Sequence, residues 1–257
     1  MIRTLCILLA ATSAFAQPPY RILSLCTTAT DVLCAIGATN QLVAIDEYGR
    51  VVPGAEKISV IGNASALSRE QLVALHADLT FVWWFQDDAA KTLTELGIPV
   101  IRIHANRAAE LPATVRLIGQ QTGREHAANQ LADTLASFLQ SQTSRPAHRP
   151  RVYLELYSAY KTVGSDSYLN DLITFAGGTN VAGSIQRDSV VFSTEQLIAT
   201  KPDVIVFVKG FATPETIAAR PGLGGARIVG IDRQWLVAGS RLPEAVAQLR
   251  ALIHQEQ

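Results

Sequence analysis

Two stretches of this sequence are versions of one another. Ser68-Arg-Glu-Gln-Leu-Val-Ala-Leu-His-Ala-Asp-Leu-Thr-Phe-Val-Trp83 and Ser193-Thr-Glu-Gln-Leu-Ile-Ala-Thr-Lys-Pro-Asp-Val-Ile-Val-Phe-Val208 carry Ser, Glu, Gln, Leu, Ala and Asp at matching offsets. Each begins with Ser at a helix N-cap and Gln three residues on, a capping-box arrangement that satisfies backbone N–H groups left over by the first turn. Glu70 and Glu195 fall in that first turn, where the helix dipole favours a carboxylate. After the short helix the chain turns at Asp78 or Asp203 into an unbroken apolar run, the pattern of a parallel strand covered on both faces. One copy lies in each half of the chain, so two similar α/β lobes are expected, with function between them.

The rest of the chain fits that frame. Arg21 to Cys26, Gln41 to Ile45, Ile58 to Ile61, Ile98 to His104, Arg151 to Leu156, Arg227 to Ile231 and Trp235 to Val237 are short apolar runs and read as strands. Helices are predicted over Asp31 to Ile36, with Thr27 to Thr30 at its start, and over 89–96, 109–121, 124–142, 167–176 and 243–253. Thr179 to Phe192 reads as loop. The stretch 124–142 places Ala128, Leu131, Leu135, Phe138 and Leu139 on one stripe. At 1.5 Å per residue it would reach ~29 Å, enough to bridge two lobes. The predicted architecture is therefore α/β, with two Rossmann-like lobes of mostly parallel sheets joined by a single long helix. Its boundaries are 17–122 for the first lobe, 123–144 for the linking helix and 145–257 for the second lobe.

Residues 1–16 precede that architecture as a secretory signal: Arg3 charges the start, Leu5 to Ala14 is an apolar run too short to span a bilayer, and Ala14-Phe-Ala16 is a cleavage site. Cys6 has no lipobox. An exported, periplasmic product starting near Gln17 is expected. The 22 basic residues include Arg3, which leaves 21 against 22 acidic ones after cleavage. No basic run survives, which argues against a nucleic-acid partner. Cys26 and Cys34 do not form a disulfide framework, and a bridge between a strand end and a helix interior would strain both.

In parallel sheets ligands bind outside the carboxyl ends of the strands. That rule points at Cys26, Thr27 and Thr28, at Trp83, Trp84 and Phe85, and at His104 in the first half. In the second half it points at 158–160 and 209–211. Three adjacent aromatics cannot all face one core, because side chains alternate along a strand. Tyr48, Trp83 and Trp84 either line the mouth of a cleft or pack locally. Glu70 and Glu195 either serve their own helices or form a matched pair of charges for a partner. The sequence contains no G-x-S-x-G elbow, Walker A loop, C-x-x-C pair or H-E-x-x-H motif, and no metal site or cofactor is expected. Gly222 to Gly225 does not follow a strand and reads as a surface turn.

Arg21 to Gly37, the two E-Q-L-x-A-x-x-x-D units, Leu96 to Val100, Tyr168 to Asn180 and Gly239-Ser-Arg-Leu-Pro-Glu244 together resemble the periplasmic binding proteins that feed cobalamin, haem and ferric siderophores to ABC importers. The resemblance runs from about Arg21 to Leu252. It implies a ligand held between the lobes with little lobe movement, and carboxylates at Glu70 and Glu195 that engage arginines on two permease subunits. Within the family the Gly239 segment, Trp83 and the Tyr48 loop are most similar to the cobalamin-binding branch. The chain departs from the pattern at Cys26, where Ser is more usual, and at His76-Ala77, where Lys-Pro is common. The resulting expectation is a monomeric, non-enzymatic solute-binding protein for a corrinoid, bound by Cys26, Thr27, Thr28, Tyr48, Trp83, Trp84 and Phe85. The alternative is haem or a ferric siderophore, with Tyr48 or His104 near iron; an exported α/β enzyme is a remote one.

Overall fold

The computed structural model describes residues 21–142, 148–223 and 225–254, so the expected signal segment, Cys6 and the expected end of the linking helix at 143–144 lie outside the described residues. Strand β1, Ile22–Leu25, lies at the centre of the first sheet, between β2 (Leu42–Ile45) and β3 (Leu79–Trp83), and β4 (Val100–Ile103) flanks β3. All three pairings are parallel. The second sheet is ordered β10 (Arg227–Ile231), β9 (Val204–Val208), β5 (Arg151–Glu155), β7 (Thr179–Asn180), again all parallel. Helices α1 (Thr27–Ala35), α2 (Arg69–Ala74), α3 (Asp87–Glu95) and α4 (Leu111–Thr122) belong with the first sheet. Helices α6 (Tyr168–Phe175), α7 (Thr194–Thr200), α8 (Pro214–Ala218) and α9 (Leu242–His254) belong with the second. Between them runs α5, Glu125–Ser141.

Period-two alternation explains how each sheet is covered. Leu23, Leu25, Ala44 and Val82 face one way, onto Leu72 of α2 and Leu93 of α3. Tyr153, Ile205 and Phe207 do the same in the second sheet, onto Leu197 of α7 and Ile217 of α8. The opposite faces, with Ile22, Ile45 and Phe81 on one sheet and Val152, Leu154, Val206 and Val208 on the other, belong to one continuous cluster. That cluster also takes in Val115 and Ile118 of α4, Ala132 and Leu135 of α5 and Leu249 of α9. The two lobes therefore share a core.

The duplicated unit keeps its geometry in both halves. Ser68 and Gln71 cap α2 reciprocally at 3.1 and 3.1 Å, and Ser193 and Gln196 cap α7 at 3.2 and 2.8 Å. Eight residues after each Ser the chain takes a left-handed turn at a non-glycine residue, His76 (φ +47°) and Lys201 (φ +46°).

Four expectations are corrected. Helix α1 starts at Thr27, not Asp31. Ile58 to Ile61 is not a strand but a single bridge from Val60 to Ile45. The loop expected from Thr179 to Phe192 contains β7 and a strand β8, Ser189–Val191, paired antiparallel with β6, Lys161–Val163; three residues are too few to show a period. Trp235 to Val237 is not a strand: Arg233–Leu236 forms a 3-10 turn, whose Gln234 carbonyl accepts from the Arg241 guanidinium at 3.1 Å while Trp235 lies beneath that group.

Candidate functional site

The carboxyl ends of both sheets open onto one cleft of about 730 Å³ between the lobes. From the first lobe, the β1–α1 junction supplies Thr27 and Thr28, and the Thr28 hydroxyl donates to the Ala238 carbonyl across the seam at 2.6 Å. The chain after β2 is shaped by Asp46, which caps a 3-10 turn, Glu47–Val51, by accepting from the Gly49 N–H at 2.9 Å. That turn presents Tyr48 to the cleft, and Asn63 fixes its hydroxyl by donating to it at 3.1 Å. Past β3, Gln86 accepts from the Trp83 N–H at 2.8 Å and donates to the Leu25 carbonyl at 3.1 Å. This tight turn lays the Phe85 ring nearly parallel to Trp83, centroids 6.1 Å apart, and both line the cleft. Asp87 and Asp88 follow on the first turn of α3, Asp87 paired with Arg102 at 2.8 Å.

The second lobe contributes Tyr157 beyond β5, Lys161, Asp166, Asp188 and the start of α6 at Ser167 to Leu169, and, beyond β10, Arg233. The Arg233 guanidinium lies over the Tyr48 ring at 4.8 Å and the Tyr157 ring at 5.1 Å, one from each lobe. Phe211 packs on Tyr157 at 5.0 Å. The walls are thus aromatic on both sides. Asp87 and Asp88 from the first lobe and Asp166 and Asp188 from the second are its acidic groups, with Lys161 and Arg233 as the cations of the lining.

Of the residues singled out in the sequence, Thr27, Thr28, Tyr48, Trp83 and Phe85 come together in this cleft. Cys26 does not reach it: the side chain is wholly buried under the floor, and burial pushes its thiol well above the usual range. Cys34 is likewise a free thiol. Trp84 is the aromatic that alternation turns away; its indole donates to Asn106 at 3.0 Å and its ring stacks on His104 at 5.9 Å, so neither it nor His104 lines the cleft. Among the expected positions 158–160, Tyr160 instead packs under Arg220. Arg233 lies just before a stretch that reads as a strand and carries no periodic signal of its own; the rule that points past the ends of β1 and β3 applies equally past β10. Asp166 and Asp188 flank short, irregular segments and leave no periodic signal.

Glu70 and Glu195 are exposed, in the first turns of α2 and α7. Their own backbone N–H groups and the capping serines hold both carboxyls below the usual range. Neither forms an ion pair among the described residues. Within the same residues no three His, Cys, Asp or Glu side chains are grouped to hold a metal ion.

Comparison with known proteins bears on this geometry. A sequence profile of the family described as periplasmic binding protein matches residues 22–227. A cobalamin-binding protein of Halobacterium salinarum is 26% identical over 198 residues, 73% of this chain and 53% of the relative, so the chain spans about half the length of that relative. A vitamin B12-binding protein of Pectobacterium carotovorum is 23% identical over 256 residues, 94% of this chain and 91% of the relative. Among solved structures, the periplasmic haem-binding protein of Vibrio cholerae superposes with a TM-score of 0.78 at 25% identity, covering 91% of this chain and 99% of that one.

Proposed function

The chain belongs to the periplasmic binding protein family, and on that premise we propose that it is an exported solute-binding protein that captures a corrinoid in the cleft and hands it to an ABC importer. The observation that carries the choice of ligand is the lining: aromatic rings on both walls with four aspartates and two cations among them. A corrin is a broad, mostly apolar disc edged with amides, whose N–H groups are donors for carboxylates, and rings supply area for its faces. Haem carries two carboxylates on one edge, and four aspartates oppose a dianion. The cobalamin-binding and vitamin B12-binding relatives support the same choice.

Capture needs little rearrangement, because the lobes share a core and are tied across the seam. Release is then the task of the permease. Glu70 and Glu195, equivalent, exposed and one to each lobe, are the groups proposed to dock on it, since an exposed carboxylate with no ion-pair partner among the described residues is available to a cationic pocket.

Titration of the purified protein with cyanocobalamin, haemin and a ferric hydroxamate, followed by tryptophan fluorescence, tests the ligand. Saturable quenching by the corrinoid is expected, with affinity about tenfold weaker in Trp83→Ala. Saturation by haemin alone would replace the corrinoid with haem.

A further inference from the structure

Arg233 is held in an unusual way. Its guanidinium lies over two rings, Tyr48 at 4.8 Å and Tyr157 at 5.1 Å. Its N–H groups nevertheless have no hydrogen-bond acceptor and no ion-pair partner among the described residues. Other arginines are consumed internally: Arg107 forks onto Asp171 at 2.6 and 2.9 Å, Arg220 pairs with Glu155, and Arg241 donates to Gln234. Asp46 is a buried carboxylate that feels Arg233 electrostatically, yet it spends one oxygen on the Gly49 N–H and its other oxygen is buried without a partner.

A guanidinium held against two rings still has its N–H groups to offer, and these form a planar fork of donors matched to oxyanions. The edge here belongs to a residue that lines the cleft. Resting on the reading of the cleft as a ligand site, we infer that Arg233 forms an oxyanion subsite that grips a phosphodiester or carboxylate group at the periphery of the bound ligand. In a cobalamin that group is the phosphodiester of the nucleotide loop; in haem it is a propionate. The clamp also makes the subsite depend on both lobes. Drawing them apart removes one of the two rings, so the grip weakens as the cleft opens.

The test compares ligands that differ in the oxyanion. Wild type, Arg233→Ala and Arg233→Lys are titrated with cyanocobalamin and with dicyanocobinamide, which lacks the nucleotide loop and its phosphate, and thermal midpoints are recorded for each variant. The expected result is that both variants bind cyanocobalamin tenfold or more weakly, on the order of one charge-assisted hydrogen-bonded pair lost, while cobinamide affinity stays within about twofold. An equal loss on both ligands, or a loss on neither, overturns the subsite and leaves Arg233 as a clasp between rings, with corrinoid binding itself intact. If wild type binds haemin and no corrinoid, the corrinoid reading falls and the comparison moves to haemin against its dimethyl ester, where the same selective loss upholds the subsite. Should wild type bind none of these ligands, the subsite falls with the cleft reading.

Discussion

Asp46 supports one wall of the cleft from below, and its stability has a pH signature. The side chain is wholly buried, one oxygen has no partner, and burial pushes its carboxyl from the ordinary 3.8 up to about 6, against the opposing pull of the Gly49 N–H and Arg233. Because the folded-state value lies above the unfolded one, the folded protein holds an extra proton between about pH 4 and pH 6. Asp46 therefore makes stability fall as pH rises through that window, and its anion costs on the order of 2–3 kcal/mol at neutral pH. Asp46→Asn keeps an oxygen for Gly49 and removes the charge. The variant is expected to melt higher than wild type at pH 7.5, with the difference shrinking to nothing by about pH 4; a constant difference across thermal melts at four pH values would show that Asp46 is not the titrating group. Nothing in the sequence around Asp46 distinguishes it from the exposed Glu47 beside it, since burial is a property of the folded surroundings.

At the scale of elements, the connection between the lobes depends on how closely two helices approach. Gly119 of α4 lies against α5 so tightly that an added Cβ would sit 2.1 Å from the Ala128 Cβ, and Gly123 turns the chain between them at φ +66°. A methyl at 119 would gain helix propensity, about 1 kcal/mol, but a contact that short forces the helices apart. Gly119→Ala is expected to lose about 1–3 kcal/mol net, read as a lower denaturant midpoint with unchanged slope. A neutral outcome would mean that the pair has slack. The apolar stripe of α5 was visible in the sequence, at Ala128, Leu131 and Leu135. Its partner was not, because a glycine inside a helical run does not announce what approaches it.

For the whole molecule, the shared core and the ties across the seam bear on how the proposed function would work. Arg107 binds Asp171, the Asp31 carboxylate accepts from the Ser240 N–H at 2.5 Å, and Thr28 donates to Ala238. On the proposed function, lobes tied at three points would need force applied at both ends to release a ligand, and Glu70 and Glu195 are the proposed points of application. Glu70→Lys with Glu195→Lys is expected to leave corrinoid affinity within about twofold, since both carboxylates are exposed and outside the cleft. Uptake through the cognate permease in proteoliposomes should be abolished by the pair and reduced by either alone. Undiminished uptake by the double variant would sink the docking role.

What the sequence determined by itself is the repeating grammar of the chain. Capping boxes, unbroken apolar strands and the duplicated unit are local, period-bearing signals, and they sufficed for two parallel-sheet lobes and for the strand ends at which Thr27, Thr28, Trp83 and Phe85 line a cleft. Tertiary structure decided what depends on neighbours distant in the chain. It sank Cys26 beneath the floor and turned Trp84 outward onto His104. It brought Arg233 against both Tyr48 and Tyr157, residues far apart in sequence, and so placed a charged fork in the cleft. Periodicity reports which face of an element is buried; only packing of one lobe on the other settles which side chains meet across the gap.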